Sequence, residues 1–146
     1  KQWIQTINTN LNSAGLLCKL AISHFLETGG GRIINIVSRA AFRGDTGDYL
    51  AYAASKGGLV SLTKTIARSF GKNNIIAFSI APGFVRTQMA KEFIEKNGEQ
   101  QILNEISLPE LTEAEDVAPT AVFLASGMMD HATGSTIDIN AGSYMR

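Results

Sequence analysis

The sequence predicts an α/β fold in which helices cover both faces of a doubly wound parallel sheet. Three observations predict it: two long segments with apolar residues at helical spacing, three short runs rich in β-branched residues, and glycine, asparagine or proline breaks between them. The order helix, strand, helix, strand, helices, strand is that of βαβ crossovers, which set strands parallel and send their helices to the two faces.

From Trp3 to about Leu26, Ile4, Ile7, Leu11, Leu17 and Leu20 recur at three- and four-residue spacing, the period of a helix with one buried stripe. Gly29, Gly30 and Gly31 stop it. Arg32 to Ser38 contains Ile33, Ile34, Ile36 and Val37, a run suited to a central parallel strand covered on both faces. Residues 39–48 read as a polar loop, and Tyr49 to about Phe70 as a second long helix closed by Gly71, Asn73 and Asn74. Ile75 to Ala81 is the next strand, broken by Pro82-Gly83. A helical lobe is expected over Gln88 to Leu103. Thr112 with Glu115 forms a candidate capping box for a helix to about Ala125, in which Pro119 fits only if regular hydrogen bonding starts late. Ser135 to Ile139 is the last strand, and Gly142 opens a short tail.

Three strands make a thin sheet for so many helices, so strands from a missing front, or from another chain, are expected to complete it. The chain also opens at Lys1 on what reads as the interior of a helix, which suggests a fragment of a longer protein. No repeat, low-complexity tract or linker divides residues 1–146.

Composition excludes several classes. The 146 residues carry 13 basic and 13 acidic side chains, so no basic field exists to gather nucleic acid or anionic lipid. No apolar run reaches the ~20 residues that span a bilayer, and no leader is recognisable, so a cytoplasmic protein is expected. The lone Cys18 lies in a helical apolar stretch and reads as a buried, inert thiol. His24 and His131 lack companions at ligand spacing, so no metal site is expected.

The sharpest signal is Tyr52-Ala53-Ala54-Ser55-Lys56, whose spacing stacks a phenol and an ammonium on adjacent turns of one helix face. A cation beside a phenol favours the phenolate, and such a phenol can exchange a proton with an alcohol or ketone. Alone, that pair is more often packing plus a solvated charge. Its context is what matters: the first strand ends at Ser38, the second at Pro82-Gly83, and parallel sheets bind ligands beyond the carboxyl ends of their strands.

Thr9-Asn10-Leu11, then Gly31 to Ser38, then the Tyr52–Lys56 motif, then Pro82-Gly83-Phe84-Val85-Arg86-Thr87, and last Gly134 to Gly142, resemble in order the second half of classical short-chain dehydrogenases/reductases. The resemblance covers nearly the whole chain and is closest to 3-oxoacyl-(acyl-carrier-protein) reductases. It implies the carboxyl-side, catalytic part of a single Rossmann-like domain that works with NAD or NADP. By motif it implies Tyr52 as general acid/base, Lys56 as the cation that favours the phenolate and binds the nicotinamide ribose, and Ser38 as the hydroxyl polarising the substrate carbonyl. Asn10 matches the position holding a water in the proton relay. Pro82, Gly83, Val85 and Thr87 would meet the cofactor. Arg39 and Tyr49 are candidate substrate contacts.

Each has a plainer reading: Asn10 could bend its helix, Ser38 close a strand end, and Thr87 start the next helix. The Gly-rich phosphate turn after a first strand is absent, as is the residue that chooses NAD or NADP, so these residues alone should hold a dinucleotide poorly. The implied substrate is a 3-oxoacyl thioester. The alternatives are a sugar, polyol or other secondary alcohol, or a non-catalytic cofactor-binding or assembly module. The two long helices resemble those that pair between subunits in this family, so a homo-tetramer or homo-dimer is expected.

Overall fold

The computed structural model describes residues 1–146 apart from the Met89 side chain. It opens on a helical rod, α1 (Gln2–Ile7) and α2 (Ser13–Thr28), joined by a π-helical turn at Asn8–Asn12. The residues at both junctions keep right-handed helical angles, so the rod is continuous. Apolar spacing predicts the rod but not the π turn, because a single wider turn still satisfies a three-or-four pattern. Gly29 ends it in the left-handed conformation (φ 93°), and the Gly29 and Gly30 amides donate to the Phe25 carbonyl.

Three strands, β1 (Gly31–Ile36), β2 (Ile75–Pro82) and β3 (Thr136–Ile139), form a parallel sheet in that order. Ile36 pairs with Ile80, and Ile80 with Ile137. Among the described residues β1 therefore lies at one margin of the sheet, the side left open to the strands expected from outside residues 1–146. Only β2 has a strand on each side, and its residues Ile75 to Ala81 are all buried, whereas Ile36 remains 47% exposed.

Helices lie on both faces, as expected. On one, α2 and α4 (Leu50–Phe70) bring Cys18 and Ile66 against Ile33, Ile75 and Ala77. On the other, Leu124 of α7 (Ala114–Ala125) packs on Ile76, Phe78 and Ile80. The alternation of strand side chains divides the two cores.

A buried polar cluster sets α4 over the sheet. Asn35 and Ser79 are opposed in register, and both donate to Thr63 Oγ1 of α4, at 2.9 and 3.0 Å. The Thr63 hydroxyl passes its own proton to the Leu59 carbonyl at 2.9 Å. Hydrogen bonds are directional where apolar packing is not, so this cluster fixes the helix in rotation and height. Cys18 lies at its margin, its thiol pushed up by burial more than Asn35 lowers it, as suits an inert group.

The remaining departures from expectation are local. Residues 39–48 contain a short helix α3 (Ala40–Arg43) and a 3₁₀ turn at Gly47–Tyr49. The lobe after β2 is two helices, α5 (Gln88–Asn97) and α6 (Glu99–Leu103), parted by Gly98 at φ 82°. The capping box of α7 is Glu113 with Asp116, one residue beyond the expected pair, because the Thr112 carbonyl is already engaged by the Arg86 amide at 2.8 Å. Pro119 lies inside α7 rather than ahead of its regular bonding, and its missing N–H forfeits one intrahelical bond.

Thr63→Val keeps the shape and removes the shared acceptor, so we expect a loss of about 1–3 kcal/mol from stranded Asn35 and Ser79 donors. Thr63→Ser should retain most of the stability. Urea denaturation of both variants checks this; equal stability of Thr63→Val and the parent would refute it.

Candidate active site

The carboxyl ends of β1 and β2 are held side by side beyond the last strand pairs. The Val37 amide donates to the Ile80 carbonyl at 2.8 Å and the Arg39 amide to the Pro82 carbonyl at 3.0 Å. Ser38 lies between these two bonds and is buried. Its Oγ accepts the Ala40 amide at 3.1 Å, a local turn that starts α3. Because that oxygen accepts from the protein, its own proton remains available to a substrate oxygen.

The 3₁₀ turn at Gly47–Tyr49 feeds α4, which carries Tyr52 in its first turn and Lys56 one turn further. Lys56 Nζ stands 5.8 Å from the centre of the Tyr52 ring. It also donates to the Ile36 carbonyl at 2.9 Å. Val37 bonds toward β2, so its neighbour Ile36 turns its carbonyl to the opposite, outer edge of β1. The ammonium thus spans from the Tyr52 helix to the last residue of β1, two positions before Ser38. Burial lowers the Lys56 pKa from its usual range.

Asn10 sits in the π turn and donates from Nδ2 to Ser55 Oγ at 3.2 Å. Ser55, wholly buried, donates in turn to the Tyr52 carbonyl at 2.7 Å. The side-chain amide of Asn10 therefore helps to hold the Tyr52 turn. Gly58 faces the rod closely: a Cβ there would lie 2.8 Å from Leu11 Cδ2. The sequence reading missed Ser55 and Gly58. The signal was present, since Ser55 lies inside the motif three residues after Tyr52, on the side of the helix that faces the rod.

The second strand end is shaped by the chain that follows β3. Gly83 donates to the Ile139 carbonyl at 2.9 Å, and a Cβ there would fall 2.8 Å from Asn140 Cα. Glycine is required by the passing chain after β3, with or without a ligand. Val85 forms an isolated parallel bridge with Thr112, in which the Arg86 amide donates to the Thr112 carbonyl at 2.8 Å. The Arg86 side chain clamps Glu99 at 2.7 and 3.2 Å and Glu113 at 2.7 Å, tying α6 and the start of α7 to the end of β2. Its hydrogen bonds hold the Glu99 carboxyl below its usual range. Sequence reading missed this clamp because its partners are 13 and 27 residues away. Thr87 caps α5, accepting the Ala90 amide at 3.3 Å, as its plainer reading foresaw.

Tyr49 is half-exposed with its ring edge-on to Tyr52, 6.4 Å between centres. Arg39 is buried with Glu105 as its ion partner at 3.3 Å. The Gly29–Gly31 stretch precedes β1 and packs on Asn74 and Phe25, so it forms no phosphate turn after a strand. His24 and His131 are both exposed, and no group of three or more metal-ligating side chains occurs among the described residues. No helix among them is long and apolar enough to cross a membrane.

A family model described as enoyl-(acyl carrier protein) reductase matches residues 1–144. The 3-oxoacyl-(acyl-carrier-protein) reductase of Pseudomonas aeruginosa is 39% identical over 144 residues, 99% of this chain and 58% of that protein. The 2-dehydro-3-deoxy-D-gluconate 5-dehydrogenase of Bacillus subtilis is 36% identical over 147 residues, 100% of this chain and 58% of that one. The acetoacetyl-CoA reductase of Rhizobium meliloti is 36% identical over 144 residues, 99% and 59% of the two. Among solved structures, a short-chain type dehydrogenase/reductase from Mycobacterium ulcerans superposes with a TM-score of 0.88 at 29% identity, over 97% of this chain and 51% of that one. The chain thus spans 58–59% of the length of these curated relatives. With its site geometry, its family match and its fold in agreement, the chain belongs to the short-chain dehydrogenase/reductase family.

Proposed function

We propose that residues 1–146 are the carboxyl-side, catalytic part of a single Rossmann-like domain, and that the intact protein moves a hydride between NAD or NADP and a ketone or secondary alcohol. The observation that carries this reading is Lys56, which lies beside the Tyr52 ring and bonds to the end of β1, two residues before Ser38.

The residues present fit the reactive end of a nicotinamide cofactor. Lys56 is a half-buried cation whose remaining donors can reach ribose hydroxyls, and Pro82, Gly83, Val85 and Thr87 border the same strand end. When bound, the dinucleotide supplies or accepts the hydride. In reduction, Ser38 donates a hydrogen bond to the substrate carbonyl and Tyr52 gives its proton to the carbonyl oxygen. The C=O π bond becomes one C–H and one O–H bond, and the Tyr52 phenolate beside Lys56 is reprotonated from solvent along the Asn10 side of α4.

Reference substrates are 3-oxoacyl thioesters, a class supported by the names of the Pseudomonas and Rhizobium relatives. A sugar, polyol or other polar alcohol is the second reading, favoured by Arg39, Arg43, Asp45 and Asp48 in the segment after Ser38. Intact Tyr52, Lys56 and Ser38 weigh against a module that has lost catalysis. The expected partners are a small carbonyl substrate, with neither nucleic acid nor membrane, in the cytoplasm.

A homo-tetramer or homo-dimer joined through the long helices is part of this proposal. Leu16, Leu17 and Leu20 project into solvent from α2, and Leu11, Gly15 and Leu62 line an apolar groove between the rod and α4.

Tyr52→Phe deletes the proton donor and keeps the ring, so turnover of the intact protein should fall by about 10²–10⁴-fold with unchanged folding. A variant retaining most of its activity by nicotinamide absorbance would refute the mechanism. Light scattering at micromolar concentration should give a dimer or tetramer; a monomer would end the assembly claim.

A further inference from the structure

We propose that Arg39 is a specificity-determining residue that seats a carboxylate of the substrate, so that the carbonyl compound reduced beside Ser38 is an oxo acid. The inference rests on the hydride-transfer reading and narrows its substrate class.

Arg39 is fixed next to the candidate site. It follows Ser38 directly, and its amide bonds to the Pro82 carbonyl, so its backbone sits at the joined carboxyl ends of β1 and β2. The residue is only 9% exposed. A guanidinium remains charged and presents two parallel donors that match both oxygens of a carboxylate. Here only one nitrogen is engaged: Nη2 donates to Glu105 Oε2 at the long distance of 3.3 Å, while Nη1 is buried with no hydrogen-bond partner among the described residues.

Glu105 cannot satisfy that demand alone. It is half-exposed, and the oxygen it offers Arg39 also lies 4.0 Å from Arg43 Nη2, so one carboxylate oxygen serves two guanidiniums. Asp45 attracts Arg39 from longer range, with its Oδ1 committed to the Thr46 amide. Burial first, and Arg43 second, push the Arg39 guanidinium below its usual range. A buried cation with an unused donor is costly to maintain as packing. A second carboxylate, brought in by the substrate, would complete the fork and relieve the repulsion from Arg43. A purely structural tie between α3 and the segment after α6 would instead be served by a two-pronged bond to Glu105.

The test compares oxo acids with their own methyl esters, which keep the ketone and remove the charge. Acetoacetate, levulinate and 5-oxohexanoate, each against its ester, sample three distances between carbonyl and carboxylate. With the intact protein, at least one acid should exceed its ester in kcat/KM by about ten- to a hundredfold, the size of a charge-assisted hydrogen bond, with most of the difference in KM. Arg39→Gln should bring that ratio to about one, and Arg39→Lys should restore part of it, because charge remains and the fork does not. Acids and esters reduced equally well by the parent would overturn the inference alone, as would an Arg39→Gln variant in which both fall together. Failure to reduce any ketone, acetoacetyl thioesters included, would overturn the hydride-transfer reading and this inference with it.

Discussion

The bond from the Lys56 ammonium to the Ile36 carbonyl joins the helix that bears Tyr52 to the end of the strand that leads into Ser38. A proton donor and a carbonyl-polarising hydroxyl on separate elements can act on one substrate only if those elements keep a fixed spacing. Lys56 provides it, and its stem crosses a buried region where a lone ammonium would be penalised unless it found an acceptor. The carbonyl it finds is on the outer edge of β1, where no strand among the described residues pairs with it.

Two further devices serve that same spacing. From below, Thr63 gathers Asn35 and Ser79 from adjacent strands and pins the middle of α4 to the sheet. From the side, the π turn at Asn8–Asn12 carries Asn10 to Ser55, which holds the Tyr52 carbonyl. All are short-range polar contacts within an otherwise apolar interface, so they specify one arrangement of α4 where hydrophobic burial would tolerate several. Away from this centre, Arg86 gathers Glu99 and Glu113 and binds the helical lobe to the end of β2. The lobe and α3 then face each other across the Ser38 end of the sheet, with Arg39 and Glu105 between them.

Much of this was legible in the sequence because it is written locally. The helices of residues 2–28 and 50–70, the three strands and the Tyr52–Lys56 face all follow from periods of 3.6 and 2 and from glycine breaks. What escaped is what depends on partners far along the chain. Thr63 in a helix gives no hint that it receives Asn35 and Ser79, 28 and 16 residues away. The cap of α7 slipped by one residue because Thr112, a good cap by type, had its carbonyl claimed by Arg86. The need for glycine at position 83 also escaped, because the chain that crowds it, at Asn140, is far along the sequence.

The central claim is that Ser38, Tyr52 and Lys56 serve hydride transfer to a carbonyl. The most direct test is reduction of a ketone by the intact protein with a nicotinamide deuterated at its transferable position, followed by mass spectrometry of the alcohol. One deuterium on the carbinol carbon, and none at the exchangeable hydroxyl, is the predicted result. An alcohol without that label, or no alcohol from any ketone offered, would contradict the account.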